Sequence, residues 1–320
     1  MANNKSELRK DYIQDKYVIV APLRNKYQKT SAYAHGHSLN YEVHHHHFIK
    51  KSDCVFCKKN FSVRSAKVVV GDKKNWEIVV VPNKYPALSL KNPKAYGEQD
   101  VVVETPFHDK QLEDLPLTQI VKILEVYAIR TRALDMNPKI EYVLIFKNNG
   151  GRAGASVTHS HSQIFATNFL PPHLLDKSQR VQSYKLKTGR CVYCDVIKKE
   201  MSGPRKVYQD DYVVAFTPYA SVYNYELWIM PRRHIDNVTN LSTEELKSFA
   251  KILKDSLTKL VHQLKMPYNF YFHQVINDED QHLYLKIAPR GTVWGGVEVG
   301  SGLVINPVAP ELAAKFYRKK

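Results

Sequence analysis

The residues with the clearest chemical potential lie in the run Asn148-Asn149-Gly150-Gly151-Arg152-Ala153-Gly154-Ala155-Ser156-Val157-Thr158-His159-Ser160-His161-Ser162-Gln163. Its glycines let the backbone approach an anion closely, and successive main-chain N–H groups in such a loop form an anion-binding concavity. Beyond the loop, His159, His161 and Gln163 recur at every second position, which on an extended strand puts them on one face. Imidazole has an unperturbed pKa of about 6.5, so its neutral form is a competent nucleophile near neutral pH. The pattern points to chemistry at phosphorus with a histidine attacking. His161 would attack the phosphorus, and a second acceptor would take the transferred group from the histidine in a ping-pong transfer. Gln163, Ser156 and the backbone of residues 150–154 are placed to donate to the phosphoryl oxygens. A His-x-His pair by itself is often only a satisfied structural pair, and it is the loop and the glutamine that favour catalysis.

All four cysteines fall into two Cys-x-x-Cys pairs, Cys54/Cys57 and Cys191/Cys194. That usage favours metal or redox roles over disulfides, and the pairs lie too far apart for one zinc ribbon. Histidines follow each pair in the same order: His108 then His159, and His234 then His282. Near-constant offsets between the matched residues indicate an internal repeat.

The elements that must position these groups repeat as well. A β-rich run follows each cysteine pair, Trp76-Glu77-Ile78-Val79-Val80-Val81 and Tyr212-Val213-Val214-Ala215-Phe216. Helical spacing then appears at Leu117, Ile120, Val121, Leu124 and Ala128, and again at Leu246, Phe249, Leu253, Leu257, Leu260, Val261 and Leu264. Ser242-Thr243-Glu244-Glu245 supplies a capping box for the second helix. Strands close each half, Tyr142-Val143-Leu144-Ile145-Phe146 and Asn269-Phe270-Tyr271-Phe272-His273. The pattern predicts an α+β fold with mainly antiparallel sheets and packed helices, divided between Pro171-Pro172 and Gly189 into units 1–175 and 176–320.

The chain carries 47 basic against 31 acidic residues, a net charge of +16. The basic residues are scattered and form no nucleic-acid module, so the balance reads as a solvated surface that also favours phosphate ligands. A polar start and the lack of a long apolar stretch point away from a signal peptide or membrane span and towards a cytoplasmic protein. His44-His45-His46-His47 reads as part of a solvated loop without assigned function.

These pieces resemble the class I galactose-1-phosphate uridylyltransferase family of the histidine-triad superfamily over nearly the whole chain. The matching segments include Leu8-Arg9-Lys10-Asp11, Val18-Ile19-Val20-Ala21-Pro22, Cys54-Val55-Phe56-Cys57, Pro82-Asn83-Lys84-Tyr85-Pro86-Ala87-Leu88 and Glu104-Thr105-Pro106-Phe107-His108. The glycine loop with His-x-His-x-Gln matches too, as do Gly296-Val297-Glu298 and Pro310-Glu311-Leu312-Ala313-Ala314. The resemblance implies two tandem histidine-triad-like repeats, a homodimer, and a structural zinc on Cys54, Cys57, His108 and His159. It makes His161 the nucleophile and Gln163 a ligand of the transferred phosphoryl group. Arg24, Asn83, Asn148, Gly154 and Glu298 become candidate substrate contacts, although asparagines before turns are frequently only turn formers.

The serines in His159-Ser160-His161-Ser162-Gln163 are similar to a branch containing plant ADP-glucose phosphorylase, whereas the uridylyl branch usually has proline between the histidines. The ADP-glucose branch implies a second zinc site on Cys191, Cys194, His234 and His282. Three further positions depart from the uridylyl pattern: Tyr284 stands where the second repeat would carry a nucleophile, Tyr27 replaces a second arginine, and Lys84 replaces an aspartate. The leading reading is a nucleotidyltransferase moving UMP or AMP between a nucleotide sugar and a hexose 1-phosphate. Alternatives are a phosphorylase or hydrolase of ADP-sugars or dinucleoside polyphosphates, and a non-catalytic zinc protein that binds nucleotides or nucleic acid.

Overall fold

Valine, isoleucine and aromatic residues crowd the runs expected to be strands, because their branched or flat side chains suit a pleated surface. The computed structural model describes residues 5–24 and 51–319; Tyr27 and His44-His45-His46-His47 lie outside the described residues. Near the N-terminus, β1 (Glu7–Lys10) pairs with β2 (Tyr17–Val20). In the first half follow β3 (Val68–Gly71), β4 (Trp76–Pro82), β5 (Gly97–Val103), helix α1 (Leu117–Asp135), β6 (Tyr142–Asn149) and β7 (His161–Thr167). Helices α2 (Pro172–Thr188) and α3 (Val192–Met201) lead into the second half. There β8 (Lys206–Gln209), β9 (Val213–Phe216), β10 (Leu227–Pro231), helix α4 (Thr243–Thr258), β11 (Tyr268–His273) and β12 (Tyr284–Pro289) follow in turn. The chain ends in α5 (Gly296–Ser301), β13 (Val304–Asn306) and α6 (Pro310–Arg318), with β13 pairing parallel to β2.

Both halves share one ten-stranded antiparallel sheet, in the order β3-β4-β5-β7-β6-β11-β12-β10-β9-β8. Counted inward from its two edges, the sheet repeats one strand pattern, and the halves meet where β6 pairs with β11. At that seam Asn148 lies opposite Asn269 and Phe146 opposite Tyr271.

Helices α1 and α4 cover one face. Ile120, Leu124 and Tyr127 of α1 and Phe249 and Leu253 of α4 join Ile78, Val143, Ile164, Leu227 and Phe272 of the sheet in one buried cluster. Such a continuous apolar layer, removed from water, is the main force holding the halves together. The expected capping box starts α4: Glu245 N–H donates to Ser242 Oγ at 3.2 Å, and Ser242 N–H donates to Glu245 Oε2 at 2.7 Å. The segment in which the sequence places the division forms α2, whose Val181 packs with Tyr193, Trp228 and Tyr284 against the opposite face of the sheet.

Candidate active site

Strand β7 runs between β5 and β6, so its side chains divide between the two faces of the sheet. Ile164 and Ala166 enter the core under the helices, and Ser162 Oγ accepts a 2.7 Å hydrogen bond from Tyr127 on that side. His161 and Gln163 point to the opposite face. The strand begins only at His161, so His159 occupies the preceding turn rather than the same strand.

That displacement gives the two histidines different surroundings. His161 is 7 % exposed, with its ring centroid 5.3 Å from that of Phe56. Its Nδ1 donates to the backbone carbonyl of His159 at 2.8 Å, which leaves Nε2 as the unprotonated nitrogen. Burial is the largest influence lowering the His161 pKa below 6.5, and the Lys147 ammonium acts in the same direction. Neutral imidazole with a free Nε2 is the state a nucleophile requires.

Beneath the histidines lies a buried ion pair. Lys147 Nζ donates to Glu104 Oε2 at 2.6 Å, to Ser160 Oγ at 3.0 Å and to the His161 carbonyl at 2.9 Å. Ser160 Oγ in turn donates to Glu104 Oε2 at 2.5 Å. All three protons of the ammonium are used, which a buried charge needs to offset its lost hydration. The network grips the Ser160 hydroxyl and the His161 carbonyl and so fixes the backbone from which the His161 ring leaves the sheet.

The glycine loop closes one side of a cavity of about 270 Å³ lined in part by Asn148, Gly150, Ala155, Ser156 and His161. Gly154 has φ of 81°, a left-handed conformation that L side chains strain to adopt. Ser156 is exposed at the mouth, and Gln111 anchors the loop base by donating to the Thr158 carbonyl at 2.7 Å.

The cysteines and histidines expected to bind metal come together in two groups, Cys54, Cys57, His108 and His159, and Cys191, Cys194, His234 and His282. Within each group the ligand atoms lie within 4.8 Å of one another. In the first, Sγ–Nδ1 separations include 3.2 Å from Cys57 to His108, 3.6 Å from Cys54 to His159 and 3.7 Å from Cys57 to His159. In the second, Cys194 Sγ lies 3.5 Å from His234 Nδ1 and 3.7 Å from His282 Nδ1. A tetrahedral ion with Zn–S of about 2.3 Å and Zn–N of about 2.0–2.1 Å separates S and N donors by roughly 3.5 Å. The outer nitrogens are tied down as ligand histidines require: His159 Nε2 donates to the Thr105 carbonyl at 2.8 Å, His234 Nε2 to that of Glu279 at 2.8 Å, and His282 Nε2 to that of Pro231 at 2.9 Å. Both groups fit a metal ion.

With this geometry the chain matches known proteins along its length. Residues 77–171 match the family described as galactose-1-phosphate uridyl transferase, N-terminal domain, and residues 190–289 match scavenger mRNA decapping enzyme C-term binding. ADP-glucose phosphorylase of Arabidopsis thaliana is 32% identical over 340 residues, covering 99% of this chain and 93% of the relative. The chain belongs to the galactose-1-phosphate uridylyltransferase family. Galactose-1-phosphate uridylyltransferase of Thermotoga maritima is 33% identical, covering 76% of this chain and 85% of that protein. The crystal structure of the Arabidopsis thaliana phosphorylase with bound ADP-glucose superimposes with a TM-score of 0.83 at 30% identity, over 99% of both chains. Named relatives of this kind are enzymes of the nucleotidyltransferase type.

The remaining family positions are differently placed. Asn83 Oδ1 accepts from Tyr85 N–H at 2.9 Å, the bond of a turn former. The neighbouring strand nevertheless links to the strand of His161, since Gln99 Nε2 donates to Gln163 Oε1 at 3.0 Å. Glu298 accepts from Gly295 N–H at 2.9 Å and Ile305 N–H at 3.3 Å; burial would raise its pKa, but these bonds and nearby Arg24 hold it below the ordinary value. Arg24 and Glu298 thus sit together beside the small β1-β2-β13 sheet.

In the second half Tyr284 holds the position matching His161. Its ring stacks on Trp228 at 4.4 Å and its hydroxyl accepts from Lys177 Nζ at 2.7 Å. Burial pushes the Lys177 ammonium down to about 8. Val181 of α2 and Tyr193 of α3 pack with Trp228 and Tyr284 on this face. Sequence reading missed Glu104, Lys147, Gln99 and Gln111. The uncompensated lysine in the otherwise apolar run Tyr142-Val143-Leu144-Ile145-Phe146-Lys147 was the one available signal.

Proposed function

We propose that this protein moves a nucleoside monophosphate, UMP or AMP, between a nucleotide sugar and a hexose 1-phosphate through a nucleotidyl-histidine on His161. One observation carries the reading: His161 lines a cavity walled by the glycine loop, and the Nδ1 bond to the His159 carbonyl leaves its Nε2 free. The displacement proceeds in two steps. His161 Nε2 bonds to the α-phosphorus as the bond to the leaving sugar phosphate breaks, and the acceptor's phosphate oxygen then displaces the histidine from the same phosphorus. Gln163, Ser156 and the loop backbone donate to the phosphoryl oxygens, with Asn148 and Gly154 shaping that wall. Arg24, Asn83 and Glu298 are assigned to substrate contacts.

The eight cysteine and histidine ligands hold two structural zinc ions, and the donor set of two thiolates and two imidazoles in each supports that choice. Four protein ligands per site would cross-link the segments that carry them and would make a bound zinc structural rather than catalytic. Residues 1–175 form the catalytic repeat and 176–320 the repeat without a nucleophile. A homodimer is supported by the exposed apolar side chains Trp294, Val297 and Val299 and by exposed Leu8 and Tyr17 of the small sheet. The proposed site of action is the cytoplasm; among the described residues no helix is long and apolar enough to cross a membrane.

A phosphorylase of ADP-sugars, with inorganic phosphate as acceptor, is the second reading. Ser160 favours it, because its hydroxyl is built into the Lys147–Glu104 network where the uridylyl branch carries proline. Incubation with α-labelled UDP-glucose and ADP-glucose, followed by alkaline denaturation, distinguishes the readings. Acid-labile label shows which nucleotide is transferred. Its release by hexose 1-phosphate supports the first reading, and its release from ADP-glucose-labelled protein by inorganic phosphate alone supports the second. No label from either nucleotide sugar removes both.

A further inference from the structure

Asn269 belongs to the second half, yet its amide is spent on the loop of the first. Both Nδ2 protons are used: one bond runs to the Ala153 carbonyl at 2.7 Å and the other to Asn148 Oδ1 at 2.8 Å. The amide is held in that orientation from behind, since Arg290 Nη1 donates to Asn269 Oδ1 at 3.4 Å. The seat is completed by Pro267. Gly150 has φ of 83°, and a Cβ there would lie 2.8 Å from Pro267 Cβ, so only glycine lets the loop settle on this proline. Arg290 N–H donates to the Pro267 carbonyl at 2.7 Å, which joins the proline and the arginine into one support. The loop curls over it, with Ala153 N–H and Ala155 N–H both reaching the Gly150 carbonyl at 3.0 and 3.2 Å.

We propose that Asn269, oriented by Arg290, is the positioning residue through which the nucleophile-free half holds Asn148 and the anion-binding loop in register with His161. Asn269 touches no reacting atom; it acts through Asn148 and the Ala153 carbonyl. This gives the second half a role in a reaction whose nucleophile lies entirely in the first, and it rests on the nucleotidyl-histidine reading above. Preorganised donors lower a barrier only when their supports keep them aimed, and the loss of such supports typically costs about 10–100-fold in activity or affinity.

The test compares wild type with Asn269→Asp, Asn269→Ala, Arg290→Lys and Arg290→Met in the full chain. Asp keeps the shape of Asn but cannot donate to two oxygen acceptors. In single-turnover labelling by α-labelled nucleotide sugar, Asn269→Asp and Asn269→Ala are expected to react about 10–100-fold more slowly. Label per chain, metal content and thermal midpoint should stay near wild type, and KM for the nucleotide sugar should change much less than the rate. Arg290→Lys, which keeps a donor, should recover part of the rate lost in Arg290→Met. Hydrogen exchange at the Ala153 and Ala155 amides supplies a readout independent of catalysis, and it should quicken in Asn269→Asp. Wild-type labelling in Asn269→Asp, or wild-type exchange at those amides, overturns the proposal. If wild type itself takes no label, the nucleotidyl-histidine reading fails, and the exchange measurement alone decides whether Asn269 holds the loop.

Discussion

The backbone carbonyl of His159 accepts the Nδ1 proton of His161 at 2.8 Å, so a residue grouped with two cysteines also fixes the ring of its neighbour two positions on. One turn of chain thereby does two jobs. The His159 imidazole faces the sulfurs through Nδ1, and its carbonyl decides which nitrogen of His161 carries a lone pair. A shift of His159 would move the His161 ring, the proposed nucleophile, whereas loss of that ring would leave the cysteine and histidine group intact.

From that asymmetry, His161→Ala should lower turnover by on the order of 10⁴-fold or more, as removal of a covalent nucleophile does. Metal content and melting temperature should match wild type, measured by elemental analysis and calorimetry. Loss of metal in this variant would contradict the separation of roles.

Cys54→Ser should act in the opposite sense. Removing one thiolate from the first group is expected to release about one metal equivalent per chain, to lower the melting temperature and to reduce activity indirectly through His159. Structural zinc contributes about 10–16 kcal/mol in isolated finger peptides, and a large core should lessen the share needed here. A thiol-competing chelator should reproduce the effect on wild type, read as zinc release with a colorimetric indicator.

Lys147→Met leaves Glu104 buried without its partner. Breaking a buried pair from one side costs about 3–5 kcal/mol, so urea unfolding should show a loss of that size. The side chains are 1% and 0% exposed, which leaves little room for water to replace the ammonium. Lys147→Met combined with Glu104→Gln should recover part of the stability but little activity, because the His161 carbonyl still lacks its donor.

Stability should also depend on acid through Glu311. Burial alone would raise its carboxyl, but hydrogen bonds from Arg205 at 2.8 Å and Arg9 at 3.0 Å outweigh burial and hold the pKa below 4.5. A carboxyl depressed in the folded state adds stability above its unfolded pKa and loses it as pH falls through the folded one. Unfolding free energy should therefore decline from about pH 4.5 downward, and Glu311→Gln should flatten that decline. An unchanged slope in the variant would exclude Glu311 as a contributor.

Much of the fold and the candidate site was legible because it was written locally. The Cys-x-x-Cys pairs, the His-x-His-x-Gln run and the capping box at Ser242 each lie within a few residues, and their repetition revealed the two halves. What escaped was set by pairing between distant strands. The partnership of Lys147 with Glu104 depends on the order β5-β7-β6, and that of Asn269 with Asn148 on the β6–β11 seam. The start of β7 at His161 was also hidden, since an alternating run of residue types does not mark where the extended backbone begins. The Pro171-Pro172 pair and Gly189 look like punctuation around a connection, but they bracket α2, with Pro172 in its first turn and Gly189 as its left-handed cap.

The most direct test of the central claim is to locate the covalent label. After a single turnover with the α-labelled nucleotide sugar that reacts, digestion and mass spectrometry should find one nucleotide per chain on the peptide containing His161, and none in His161→Ala. A nucleotide on another residue, or equal labelling of the His161→Ala variant, would contradict the account.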